Sequence, residues 1–175
     1  MKLVCFDFDD TLFHTPKADI GKTIWEEKTG TMWPYNGWWG KSETIDSDIF
    51  HIPMNQWVLR KYQEHRSEEG TKVIVATGRL AKVNGMLDNI NKLFEQNNLE
   101  FDEIHLNWGG DTLRFKMKLF EQKLKEHKVK EFIMFDDRHE HLPHFENWAT
   151  EFSKENGVKI TVVDVINKTE KTFER

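Results

Sequence analysis

The chain predicts an α/β fold, a Rossmann-like three-layer sandwich around a central five-stranded parallel sheet, with a small Trp-rich insertion after the first strand. Five short apolar runs alternate with longer stretches whose apolar residues recur at steps of three or four, the period of helices laid on a sheet. Three of those runs end in acidic, basic or hydroxyl residues, and open parallel sheets gather their ligands at that edge. At 175 residues, one domain over 1–175 has room for a full core around such a sheet.

The first run, Leu3-Val4-Cys5-Phe6, leads into Asp7-Phe8-Asp9-Asp10-Thr11-Leu12. Side chains alternate along a strand, so Asp7 and Asp9 point one way while Phe6 and Phe8 point the other. Two carboxylates that close raise each other's pKa and cost stability unless a cation neutralises them. Oxygen-only ligands suit magnesium. The competing interpretation is a polar turn that caps the next segment.

The other runs are Lys72–Ala76, Glu103–Leu106, Glu131–Phe135 and Lys159–Val163. The second ends in Thr77-Gly78-Arg79 and the fourth in Asp136-Asp137-Arg138. The third ends in Asn107-Trp108-Gly109-Gly110, and the helix after it carries Lys116. Helical spacing joins Met54, Trp57, Val58 and Tyr62, then Val83 through Phe94, Leu113 through Leu124, and Leu142 through Phe152. Residues from about Ile166 to Arg175 suggest a polar tail.

The stretch of about 13–53 breaks this alternation. Four of the seven tryptophans fall between Trp25 and Trp39, among glycines and proline, which suggests an insertion that packs over the site as a lid. Trp38 and Trp39 are candidates for stacking on a base, and the plainer alternative is that they anchor an irregular loop.

With 38% hydrophobic and 31% charged residues and no long apolar run, the composition is that of a soluble globular protein. The acidic residues interrupt the N-terminal apolar run, so no secretory signal is expected, and a lone cysteine, Cys5, fits a reducing, cytoplasmic setting. A net charge of -5 argues against coating nucleic acid broadly, though not against binding one end. Arg114, Lys116, Lys118, Lys123, Lys125, Lys128 and Lys130 lie in one stretch, which suits either a solvated helix face or a phosphate-binding rim.

Together Asp7-x-Asp9-x-Thr11, Thr77-Gly78-Arg79, Lys116 and Asp136-Asp137 resemble, in order, the four motifs of the haloacid dehalogenase (HAD) superfamily in its phosphatase form. That resemblance implies a magnesium-dependent phosphatase acting through an aspartyl-phosphate. Asp7 would be the nucleophile and Asp9 the acid and base, with Thr77 and Lys116 as donors to the phosphoryl group. Mg²⁺ would be held by Asp7, the Asp9 carbonyl and the Asp136-Asp137 pair. Thr11, Gly78, Arg79, Arg138, His141, Trp38 and Trp39 would contact substrate. A histidine metal site from His139, His141 and His144 is the weaker option beside these oxygen donors.

Asp137-Arg138-x-x-His141, Gly37-Trp38-Trp39 and Thr112-x-x-Phe115-Lys116 look similar to the Swiss-army-knife RNA-repair-like branch of that superfamily. The Asp136-Asp137-Arg138 ending also resembles that of polynucleotide 3′-phosphatase domains. This implies a phosphorylated nucleotide or nucleic-acid end as substrate and no obligatory protein partner. The alternatives are a small-metabolite phosphatase or nucleotidase, and a catalytically silent nucleic-acid-binding module.

Overall fold

Strand β1, Lys2–Phe6, occupies the middle of the sheet, and the computed structural model describes all of residues 1–175. Leu3, Val4, Cys5 and Phe6 are buried, as a strand covered on both faces requires. Parallel to β1 on either side lie β2, Thr71–Leu80, and β4, Glu131–Asp136. Strand β3, Glu103–Asn107, pairs with β2, and β5, Lys159–Asp164, pairs with β4. The sheet has six strands in the order β3-β2-β1-β4-β5-β6, where β6 is Thr169–Phe173. The chain steps outward from β1 to β3 and then returns to β4 on the far side. Strand order therefore reverses beside β1, which opens a crevice at the C-terminal ends of β1 and β4.

The sixth strand corrects the expectation of five strands and a polar tail. Strand β6 runs antiparallel to β5. The reversal is made by Asp164, whose Oδ1 accepts the backbone N–H groups of Ile166 and Asn167 at 3.0 and 3.1 Å. Four of the five β6 residues are exposed, so its sequence shows no apolar alternation to betray it.

Helices α1, Ala18–Thr29, α2, Gln56–Arg66, and α3, Met86–Gln96, precede β3 in the chain. They are followed by α4, Thr112–Glu126, and α5, Leu142–Asn156. Val58, Tyr62, Met86, Ile90 and Phe94 of α2 and α3 share one core with Val4 and Phe6. Phe120, Leu124, Phe145 and Trp148 of α4 and α5 share the other with Leu3 and Cys5. The layers are thus helix, sheet, helix. No helix is long and apolar enough to cross a membrane.

The stretch between β1 and α2 holds α1 and a short 3₁₀ turn, Ser42–Ile45. Gly21 is the one buried residue of α1, and a Cβ there would lie 2.2 Å from the Trp38 ring. The helix therefore docks through a glycine rather than an apolar stripe, which is why periodicity does not reveal it.

Candidate active site

Alternation along two strands delivers the acidic groups. Leu3 and Cys5 face α4 and α5, as do Phe132 and Met134, and the register sets Leu3 beside Phe132 and Cys5 beside Met134. One further step on the same side brings Asp7 next to Asp136. The Asp7 N–H donates to the Phe135 carbonyl at 3.0 Å, continuing the ladder past the end of β1.

Lys116 reaches this point from α4. Its Nζ donates to Asp7 Oδ1 at 2.8 Å and to Asp136 Oδ2 at 2.7 Å, and the residue is 1% exposed. Burial alone would discharge the amine, but the Asp136 and Asp7 carboxylates outweigh it and hold its pKa above the ordinary lysine range. Burial, more than any neighbour, raises the Asp7 carboxyl against the pull of Lys116.

Asp137 completes the cluster: Asp7, Asp136 and Asp137 each offer an oxygen, and these lie within 4.8 Å of one another. Burial, and then the neighbouring Asp136 charge, push Asp137 up to about 6. Three carboxylates meet one ammonium, so the cluster retains excess negative charge among hard oxygen donors. Such a donor set fits a divalent cation. Asp136 is 1% exposed and committed inward, its Oδ1 accepting the Arg138 N–H at 2.9 Å. Asp7 and Asp137 instead face an open pocket of about 570 Å³.

Asp9 also lines that pocket, yet its carboxylate is engaged elsewhere. Arg79 grips it through Nε at 2.9 Å and Nη2 at 2.7 Å, and Thr15 donates to it at 2.8 Å. Arg79 is itself buried, with Nη1 donating to Thr44 Oγ1 at 2.9 Å and to the Trp39 carbonyl at 3.3 Å. Arg79, expected as a substrate contact, lines the pocket and also clamps Asp9 to the 13–53 stretch. Thr77 is fully buried, and its hydroxyl accepts the Arg79 N–H at 3.2 Å. Thr11 donates to Asp137 Oδ1 at 3.3 Å, which orients this pocket-facing carboxylate. Gly78 lets β2 pass the start of α4, where a Cβ would lie 2.6 Å from Thr112 Oγ1.

The two tryptophans part company. Trp38 is buried, packs on Trp33 and Phe50, and donates from Nε1 to the Pro16 carbonyl at 2.8 Å. It is an anchor of the stretch, and the expectation that it stacks on substrate is corrected accordingly. Trp39 is half exposed and lines the pocket. Arg138 lines it too, paired with Glu140 at 2.9 Å. His141 lies beneath the start of α5, buried and away from the pocket lining, and burial lowers its pKa. Asp10 and Thr112, which the sequence motifs contain without an assigned role, also line the pocket. Asp10 takes a positive φ of 56° and pairs with Lys17. Three aspartates within four positions were the available signal for it.

A sequence profile described as HAD domain family 1 in Swiss Army Knife RNA repair proteins matches residues 22–174. The match leaves out β1 and its acidic loop, which rest on the geometry above. Among solved structures, a HAD-superfamily hydrolase of subfamily IA, variant 1, from Geobacter sulfurreducens is 13% identical with a TM-score of 0.50, over 91% of this chain and 85% of its own. A haloacid dehalogenase-like hydrolase from Streptococcus pneumoniae is 13% identical with a TM-score of 0.47, over 90% and 82%. An archaeal beta-phosphoglucomutase from a Pyrococcus strain is 15% identical with a TM-score of 0.44, over 94% and 87%. No curated protein matches the chain.

Proposed function

The chain belongs to HAD domain family 1 of Swiss Army Knife RNA repair proteins, and we propose that it is a magnesium-dependent phosphatase that removes a phosphate from a nucleotide or nucleic-acid end. The observation that carries this is the buried Lys116 bridging Asp7 and Asp136, with Asp137 beside them at the sheet edge. Asp7 and Asp137, backed by Asp136 and the Asp9 carbonyl, would hold Mg²⁺. When bound, the ion would lower the repulsion between a carboxylate and an anionic ester, a cost of about 4 kcal/mol per charge pair at close range.

The chain's own groups do the rest. Asp7 attacks phosphorus through a carboxylate oxygen, and the ester oxygen leaves, which yields an aspartyl-phosphate. Lys116 favours the ionised form of Asp7, orients it and adds positive charge beside the transferring group. Asp9, once it has taken a proton from solvent, gives it to the leaving oxygen, and then takes one from the water that attacks phosphorus, which releases phosphate and frees the Asp7 carboxylate. To do so it turns from Arg79 toward Asp7, and Arg79 sets its resting position. Trp39 and Arg138 on the rim would meet the base and the remaining phosphates. The nucleic-acid preference draws on the family's RNA-repair description and this rim together.

Phosphate release from a p-nitrophenyl ester, mononucleotides and 3′-phosphorylated oligonucleotides, with Mg²⁺ and with chelator, tests the proposal. Turnover should require the metal and favour the oligonucleotide. Asp7→Asn should lower it by about four or more orders of magnitude while the fold persists. Substantial turnover by that variant would reject the nucleophile, and mononucleotides outpacing oligonucleotides by orders of magnitude would reject the end-processing role.

A further inference from the structure

Strand β3 forms one free edge of the sheet, and beside it and α4 lies a second cleft, of about 840 Å³. Leu80 and Thr112 line the carboxylate pocket while their chain neighbours Ala81 and Asp111 line this cleft. The two spaces therefore lie side by side, with these residues as their shared wall.

Trp108 stands in the cleft with 81% of its surface exposed. The turn that carries it is braced, since buried Asn107 accepts the Gly109 N–H at 2.9 Å and donates to the Gly110 carbonyl at 3.0 Å. An indole so fully in water forgoes the burial that places most tryptophans inside. Arg114 and Lys118, four residues apart on the exposed face of α4, line the same cleft, and neither forms an ion pair. The one carboxylate of the lining, Asp111, is spent capping α4 through the Arg114 N–H at 2.8 Å.

We infer that this cleft is the track for a single-stranded nucleic acid whose end sits in the carboxylate pocket, with Trp108 stacking on a base and Arg114 and Lys118 pairing with phosphates. The assignment rests on the end-processing role proposed above. An exposed aromatic beside unpaired cations is the chemistry that holds unpaired strands, whereas a duplex offers no free base face. An acidic peptide would use the cations and have no need of the indole.

Binding of a labelled, hydroxyl-ended single-stranded oligoribonucleotide, followed by anisotropy, tests the track without any catalysis. Trp108→Ala, and separately Arg114→Ala with Lys118→Ala, should each weaken binding about 10-fold. The double variant should also flatten the salt dependence by about two phosphate contacts. Thermal midpoints should match the parent, which excludes misfolding. Undiminished binding by both variants overturns the inference, as does an acidic peptide displacing RNA equally well from the parent and from Trp108→Ala. Hydrolysis of a 3′-phosphorylated dinucleotide, too short to fill the cleft, judges the pocket alone. If it fails while oligonucleotide binding still depends on Trp108, the phosphatase proposal falls and the track stands. If it succeeds while binding ignores Trp108, only the track falls.

Discussion

The two ends of one sheet hold charge clusters of different burial and balance. At the C-terminal edge, Asp7, Asp136 and Asp137 share the single ammonium of Lys116. At the other, Glu103 meets Lys72, Lys123 at 2.8 Å, His105 at 2.6 Å and His127 at 3.7 Å, and Lys123 also pairs with Glu126 at 3.4 Å. Helix α4 serves both, since Lys116 and Lys123 stand two turns apart on it. The difference lies in burial. Glu103 keeps about a fifth of its side chain in water, which screens the pairs it makes, whereas Lys116 is sealed in with its partners. Charge at an exposed cluster is screened by water, while a buried excess calls for a counter-ion from outside, and that makes one cluster structural and the other suited to hold a cation.

Removing the lysine should break the contrast most sharply. Lys116→Met leaves Asp7 and Asp136 buried without a cation, which should cost about 3–5 kcal/mol in chelator, read as a lower urea midpoint. Added Mg²⁺ should recover part of that loss, and turnover should fall by about 10²–10³-fold. A midpoint indifferent to both the substitution and the metal would mean that the cluster has no charge to balance.

A smaller effect is expected from Arg79→Lys, which keeps the charge but loses the forked grip on Asp9. Turnover should drop about 10-fold, with a change in the pH profile of kcat, because Asp9 is no longer held in one place. An unaltered profile would return Arg79 to a purely structural part.

The smallest effect belongs to Glu103→Gln. Burial opposes ionisation of Glu103, yet hydrogen bonds from Lys123, Lys72 and His105 override it and bring the carboxyl to about 2. A carboxyl lowered on folding adds stability above its unfolded pKa of about 4.3, and that gain disappears as pH falls through about 2. The variant should therefore be less stable at neutral pH by about 1 kcal/mol, after allowance for solvent screening, and no less stable near pH 2. Urea midpoints at the two pH values decide it.

Much of the site is legible along the chain because its members end strands or ride a helix of plain periodicity. Asp7, Asp136 and Asp137 follow apolar runs, and Lys116 lies one turn into α4, so each could be named before any distance was known. Their shared side of the sheet follows from the two-residue period alone. By contrast, α1 and β6 escape detection because each buries almost nothing, and a pattern of buried residues is the main trace an element leaves in sequence.

Sequence by itself determined the α/β class, the parallel character of the inner sheet and the members of the acidic cluster, since local period and turn chemistry act within a few residues. Tertiary structure decided what those residues touch. Arg79 on Asp9, Trp38 on Gly21 and Trp108 beside Arg114 join positions that only chain crossings and packing bring together. Adjacent Trp38 and Trp39 show the reason: their composition is the same, but one indole faces the fold's interior and the other the pocket, and that choice depends on the whole surrounding surface.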